Sequence, residues 1–171
     1  MKTIAILSIL ILSTLGANAQ EDAITKFFSK YQNDESFTQV NITGRMFSLF
    51  TNFETEDEED QEMIDAVSKV KGLKILAKED TNGQELYNEA FKLIDSNEYE
   101  ELMTIREKDS DMKFLIKEKD GVIEELLMVI GSEDSFFLLS LVGDIDLKQI
   151  SKLSKSMDID GFENLQNIDK N

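Results

Sequence analysis

The chain has 171 residues, with 35 acidic side chains against 18 basic ones, a net charge of −17, and no cysteine, histidine, proline or tryptophan. Lack of cysteine excludes disulfides, thiolate nucleophiles and a lipid-attachment cysteine, and lack of histidine excludes Ser-His-Asp and Cys-His catalysis and the commonest zinc ligand. The acidic balance argues against nucleic acid and anionic membrane as partners, because both require a basic face.

The first nineteen residues have the layout of a secretory signal. Lys2 supplies a positive start, Ile4 to Leu15 form an apolar run, and Ala17-Asn18-Ala19 has the A-x-A pattern of a cleavage site. An apolar run of about a dozen residues is too short to cross a bilayer, which takes roughly 20. Cleavage is expected to leave Gln20 at the N-terminus, with 17 basic residues against 35 acidic ones and a net charge of −18. Residues 20–171 are then expected to form one domain held by its apolar core.

Along residues 21–32, Ile24, Phe27, Phe28 and Tyr31 recur at helical spacing and predict one apolar stripe, read as core in preference to a docking face. Residues 37–42 alternate and predict a short strand. Gly44 then opens a heavily apolar helix bearing Met46, Phe47, Leu49, Phe50 and Phe53, read as buried, with an exposed contact surface as the alternative. Residues 54–62 hold seven carboxylates. They are read as a solvated segment whose last acids favour the positive end of the next helix, with a divalent-cation site as the alternative.

Met63, Ile64, Val67 and Val70 continue as an amphipathic helix, with Gly72 expected at its left-handed C′ cap and Leu73 making the accompanying contact. Residues 73–77 predict a second strand. Thr81-Asn82-Gly83-Gln84 has the look of a capping box before a helix bearing Leu86, Tyr87, Ala90, Phe91 and Ile94, which Ser96-Asn97 ends.

From Tyr99 the period changes to that of strands. Residues 99–106 are read as a strand, with a short helix as the alternative, because a turn follows at Lys108-Asp109-Ser110-Asp111, and the next strand turns Met112, Phe114 and Ile116 inward and Lys113 and Lys117 outward. Asp120-Gly121 suits a type I′ hairpin, and Gly131-Ser132-Glu133-Asp134 marks another reversal. The runs Leu126–Ile130 and Phe136–Val142 are continuously apolar, as central strands covered on both faces would be. Glu124 and Glu125 are placed near the hairpin end. Asp144 or Asp146 is expected to cap a final helix lined by Leu147, Ile150, Leu153 and Met157, with Lys148, Lys152 and Lys155 on another side.

Candidate chemistry is sparse. Set as a calcium loop with Gly161 at the sixth position, Ser156, Asp158 and Asp160 take ligand positions one, three and five, but Glu163 replaces the apolar eighth residue and Asn167 stands where a bidentate glutamate is required. No spacing singles out a pair of carboxylates for glycoside hydrolysis. Ser151-Lys152 and Ser154-Lys155 lack the spacing of a Ser-Lys nucleophile. No phosphate loop, dinucleotide fingerprint or nucleophile elbow appears. The expectation is therefore a non-enzyme without catalytic, cofactor-binding or metal-binding residues and without a cofactor.

The segments YQNDESFTQVNIT (31–43), KGLKILAKED (71–80), YEELMTIREKDSDMKFLIKE (99–118) and IEELLMVIGSEDSFFLLSLVGDIDLKQISKLS (123–154) resemble the exported Bacteroidota-type family known as domain of unknown function 4252. The resemblance implies a periplasmic or extracellular location and a small α+β domain. It transfers no functional residue. Some members are lipoproteins, and this chain departs from them in lacking the cysteine. The frequent placement of their genes beside sigma and anti-sigma factors implies an envelope-signalling context.

These readings combine into one α+β domain, mainly an antiparallel sheet of five or six strands with a β-meander in its C-terminal half and helices packed mainly on one face. The expected function is that of an exported, non-catalytic envelope protein acting by protein binding, through the Phe47–Phe53 helix or the Lys148–Lys155 face. Cation or small-ligand binding by the acidic surface is the alternative, followed by a carboxylate-based hydrolase.

Overall fold

The computed structural model describes residues 23–50, 55, 57–95 and 97–150. The signal segment, Phe53, Glu54 and Glu56, the 156–167 loop and residues Lys152, Leu153, Lys155 and Met157 lie outside them.

Six antiparallel strands form one sheet. In chain order the elements are α1 (Ala23–Tyr31), β1 (Thr38–Thr43), α2 (Gly44–Phe50), α3 (Glu58–Ser68), β2 (Val70–Glu79), α4 (Gly83–Leu93), β3 (Glu100–Arg106), β4 (Ser110–Lys119), β5 (Val122–Ser132) and β6 (Ser135–Ile145). A helical turn begins again at Leu147. The spatial order is β1-β2-β6-β5-β4-β3. Strands β3 to β6 are therefore a meander, and β2 closes against β6, leaving β1 and β3 as the two edges.

The most apolar runs occupy the middle of this order. Leu126, Leu127, Met128 and Val129 of β5 and Phe136 and Leu138 of β6 are almost wholly buried. Alternation along each strand divides them between two cores. On one face, Leu76, Leu115, Leu127, Val129, Phe136 and Leu138 pack under α1 and α4, which bring Ile24, Phe27, Tyr87 and Ala90. On the other, Phe114, Ile116, Leu126, Met128, Leu139 and Leu141 are covered by Phe47 of α2 and by Leu147 and Ile150. The helical weight expected on one face is that of α1 and α4, and the second face is also covered. Full burial of a large apolar side chain stabilises by about 1.5–3 kcal/mol, so these two layers dominate the energetics.

The turns follow their residue chemistry. Asp120 and Gly121 have φ of 53° and 81° between paired Lys119 and Val122, as a two-residue I′ turn requires. Asp146 caps the last helical turn, its Oδ1 accepting the Lys148 amide at 2.9 Å. The acidic run leads into α3, where Asp57 Oδ1 accepts the Asp60 amide at 3.4 Å.

Two local expectations are corrected. Helix α3 stops at Ser68, Val70 starts β2, and Gly72 is a strand residue paired with Thr43 and Val142 instead of a helix cap. Strand pairing on both sides outcompetes one more helical turn there. The N-cap of α4 is Asn82, whose side chain accepts from the Glu85 amide, so the cap sits one residue later than Thr81. Lys113 and Lys117 leave the Phe114 face as expected and stay partly exposed. Their ammonium groups lie 5.2 Å from the Phe91 ring centre and 5.8 Å from that of Tyr99.

Candidate functional site

A hollow opens on the α1–α4 face at the end of the sheet that α4 does not reach. Its floor crosses four strands. One row runs from Thr43 through Gly72 and Val142 to Glu125, each residue registered against the next. The adjacent row runs from Asn41 through Lys74 to Ser140. Ile24 and Thr25 of α1 form a wall, and the cavity measures about 300 Å³. The depression arises where side chains are small or absent. A Cβ built on Gly72 would find only the Ile42 carbonyl oxygen, at 3.6 Å, and otherwise open space.

Glu125 is the unusual member. It is one of two buried polar or charged residues among those described, at 7% exposure, and the other is Ser140 beside it. The Tyr99 hydroxyl donates to Glu125 Oε2 at 2.7 Å, and the Ser140 hydroxyl donates to Oε1 at 2.6 Å. Two neutral donors leave further lone pairs of an ionised carboxylate unused. The ion pairs among the described residues do not include Glu125. Lys117, opposite Glu125 in the register, is instead drawn to Glu98 at 2.8 Å.

A β-bulge puts Glu125 in this position. Between β4 and β5 the pairing steps from Lys117↔Glu125 to Glu118↔Ile123, so Glu124 has no opposite residue. Strict alternation would put Ile123 and Glu125 on one face. The extra residue separates them: Ile123 joins the core under α2, while Glu125 turns to the α1 side. Re-aiming a side chain is what such bulges do.

On the opposite side of the hollow, Lys74 Nζ lies 3.4 Å from Thr25 Oγ1 and 5.7 Å from the Phe28 ring centre. It too is missing from the ion pairs of the described residues. A second hollow, at the turns joining β3 to β4 and β5 to β6, is lined by Arg106, Lys108, Asp109 and Asp111. Four of its charges pair, Arg106 with Asp111 at 3.0 Å and Lys108 with Asp109 at 3.5 Å, and Glu107 and Glu133 also line it. The Glu125 hollow differs in holding a buried carboxylate and a lysine that are both absent from the ion pairs of the described residues.

Outside it, the first edge of the sheet is the other notable surface. β1 reads TQVNIT, without charge or proline, and beside it α2 exposes Met46 and Leu49 at 48% and 50%. The phenylalanines proposed from sequence as a contact surface divide differently: Phe47 is partly buried in the second core, and the side chains of Phe50 and Phe53 fall outside the description. Lys148 is the described member of the lysine face, and its amide takes part in the Asp146 cap. Among the described residues, no group of three or more acidic side chains is placed to hold a metal ion, and no helix is long and apolar enough to cross a membrane.

Sequence reading placed Glu125 near a hairpin end and gave it no role. The available signal was a second carboxylate at the start of an otherwise apolar strand run.

A six-stranded antiparallel sheet whose strands β3 to β6 form a meander, with helices on its faces, defines a small α+β domain. The chain belongs to the family described as domain of unknown function (DUF4252), whose model matches residues 31–153. No curated protein and no solved structure matches it.

Proposed function

We propose that this chain is an exported, non-catalytic envelope protein that acts by binding another protein, with the β1 edge as its contact surface. The observation that carries this reading is the character of that edge. An exposed edge strand offers a row of backbone donors and acceptors, and proteins ordinarily blunt it with charge, proline or a bulge. Edge β3 has Glu100, Glu101 and Arg106. Edge β1 has none of these devices, and the adjoining α2 adds Met46 and Leu49. The occupant proposed is an extended segment of a partner protein, adding as a seventh strand with apolar side chains over α2. The signal-like first nineteen residues support export, and the gene context implied by the family supports an envelope-signalling role.

A photo-crosslinking residue at Thr38 tests it in cells. The expected result is one crosslinked partner, lost when Met46→Lys and Leu49→Lys are introduced together. No crosslink from β1, or a crosslink indifferent to the α2 substitutions, overturns the reading. Mass spectrometry of the exported chain tests localisation separately: a mature N-terminus at Gln20 is expected.

A further inference from the structure

We propose that the hollow bounded by Glu125 and Lys74 binds a small zwitterion, a free amino acid or a short peptide, with its ammonium at Glu125 and its carboxylate at Lys74. This site is separate from the β1 edge, and its test has a different readout.

Three features carry the assignment. Glu125 is buried and accepts hydrogen bonds from Tyr99 and Ser140, but it is absent from the ion pairs of the described residues. Burial of a carboxylate is costly unless a cation or a full set of donors compensates it, and buried charges in proteins are ordinarily paired. An ammonium entering the hollow supplies both the missing charge and up to three N–H donors. Second, Lys74 stands two strands away on the opposite side of the hollow. Its contacts with Thr25 and the Phe28 ring hold it on the α1 side, where it does not neutralise Glu125. Strands spaced about 4.8 Å apart separate the two backbones by roughly 10 Å, a gap that one lysine arm and a small zwitterion can span. Third, the space between them is small, about 300 Å³, with Ile24 and Val142 to receive aliphatic groups. That is the lower end of the size range of ligand sites. A dianion such as a phosphate ester would meet Glu125 unfavourably, and a simple diamine would meet Lys74.

Titration calorimetry and ligand-observed NMR on the full chain test the proposal, with each of the free amino acids and dialanine as probes and cadaverine (two ammonium groups) and glutarate (two carboxylates) as controls carrying charge of one sign only. Saturable binding of at least one zwitterionic probe is expected, with both controls weaker by roughly tenfold or more. Glu125→Gln and Lys74→Met are each expected to weaken binding by a similar factor. Gly72→Val fills the hollow and touches neither charge; it should abolish binding while circular dichroism and melting stay those of the parent. That variant keeps the test valid if Glu125→Gln is poorly folded. Absence of binding at about 10 mM probe, which is weaker than any useful small-molecule affinity, overturns the proposal. So does binding that survives Gly72→Val, or a control that binds as tightly as the zwitterion.

Discussion

The Tyr99 hydroxyl donates to Glu125 Oε2 at 2.7 Å, joining the lead-in of edge strand β3 to an inner strand across the whole width of β4. The bond spans the β4 lysine Lys117, whose ammonium lies 5.8 Å from the Tyr99 ring centre. A buried carboxylate is thereby tied to the end of the sheet farthest from β1.

Removal of either donor should be felt in stability. Tyr99→Phe keeps the ring and deletes the hydroxyl, leaving one oxygen of a buried carboxylate short of a partner. The expected loss is about 1–3 kcal/mol, read as a lower urea midpoint at unchanged m-value. Ser140→Ala should cost a similar amount. The double variant should fall short of, or exceed, the sum, because both donors serve one group. Strict additivity would show that the two bonds are energetically independent.

The glycines where α4 meets the sheet should be intolerant of a methyl group. A Cβ on Gly83 would lie 1.7 Å from the Ser135 carbonyl oxygen, and one on Gly131 would lie 2.6 Å from the Tyr87 Cβ. Gly83→Ala and Gly131→Ala must therefore push α4 off the sheet, at a cost of about 1–3 kcal/mol or more. Gly72→Ala should be close to neutral, since its Cβ meets only the Ile42 oxygen at 3.6 Å. Thermal melts of the three variants in parallel check the contrast.

The β4–β5 hairpin should depend on its turn backbone. Gly121 has φ of 81° with nothing within 4 Å of a built Cβ, so Gly121→Ala introduces backbone strain without a clash. The expected cost is about 1 kcal/mol. Hydrogen exchange should show faster opening of the amides around Lys119 and Val122, with the β6 amides unchanged.

One ion pair should contribute to the acid limb of stability. The hydrogen bond from Lys113 is the main cause that holds the Glu101 carboxyl below its ordinary range, with a second from Thr104. The folded chain therefore releases that proton more readily than the unfolded one. The contribution is present above the unfolded-state value and is lost as pH falls through the lower folded-state value. Because the Glu101 side chain is 49% exposed, solvent screening limits it to under about 1 kcal/mol. Glu101→Gln should flatten the stability profile slightly on the acid side and leave it unchanged in slope near neutrality, as denaturant titrations across pH would show.

What was legible in the amino-acid order was local. The continuous apolar runs of β5 and β6, the Asp120-Gly121 turn and the stripe of α1 depend on short-range spacing and intrinsic backbone preference, so the α+β class and the meander follow from them. The candidate site did not. Gly72 reads locally as the stop of a helix, and only its pairing with Thr43 and Val142 on either side makes it the floor of a hollow. Glu125 would share the face of Ile123 by alternation, and a single unmatched residue, Glu124, turns it to the other side. Lys74 and Glu125 are 51 positions apart and come together through strand order, a property of the assembled sheet. Residue order alone determined the elements and their apolar sides, because helix and strand periods are short-range. Register, bulge and neighbour were decided only in the tertiary structure, where backbone hydrogen bonds between distant strands compete and one slipped residue exchanges inside for outside.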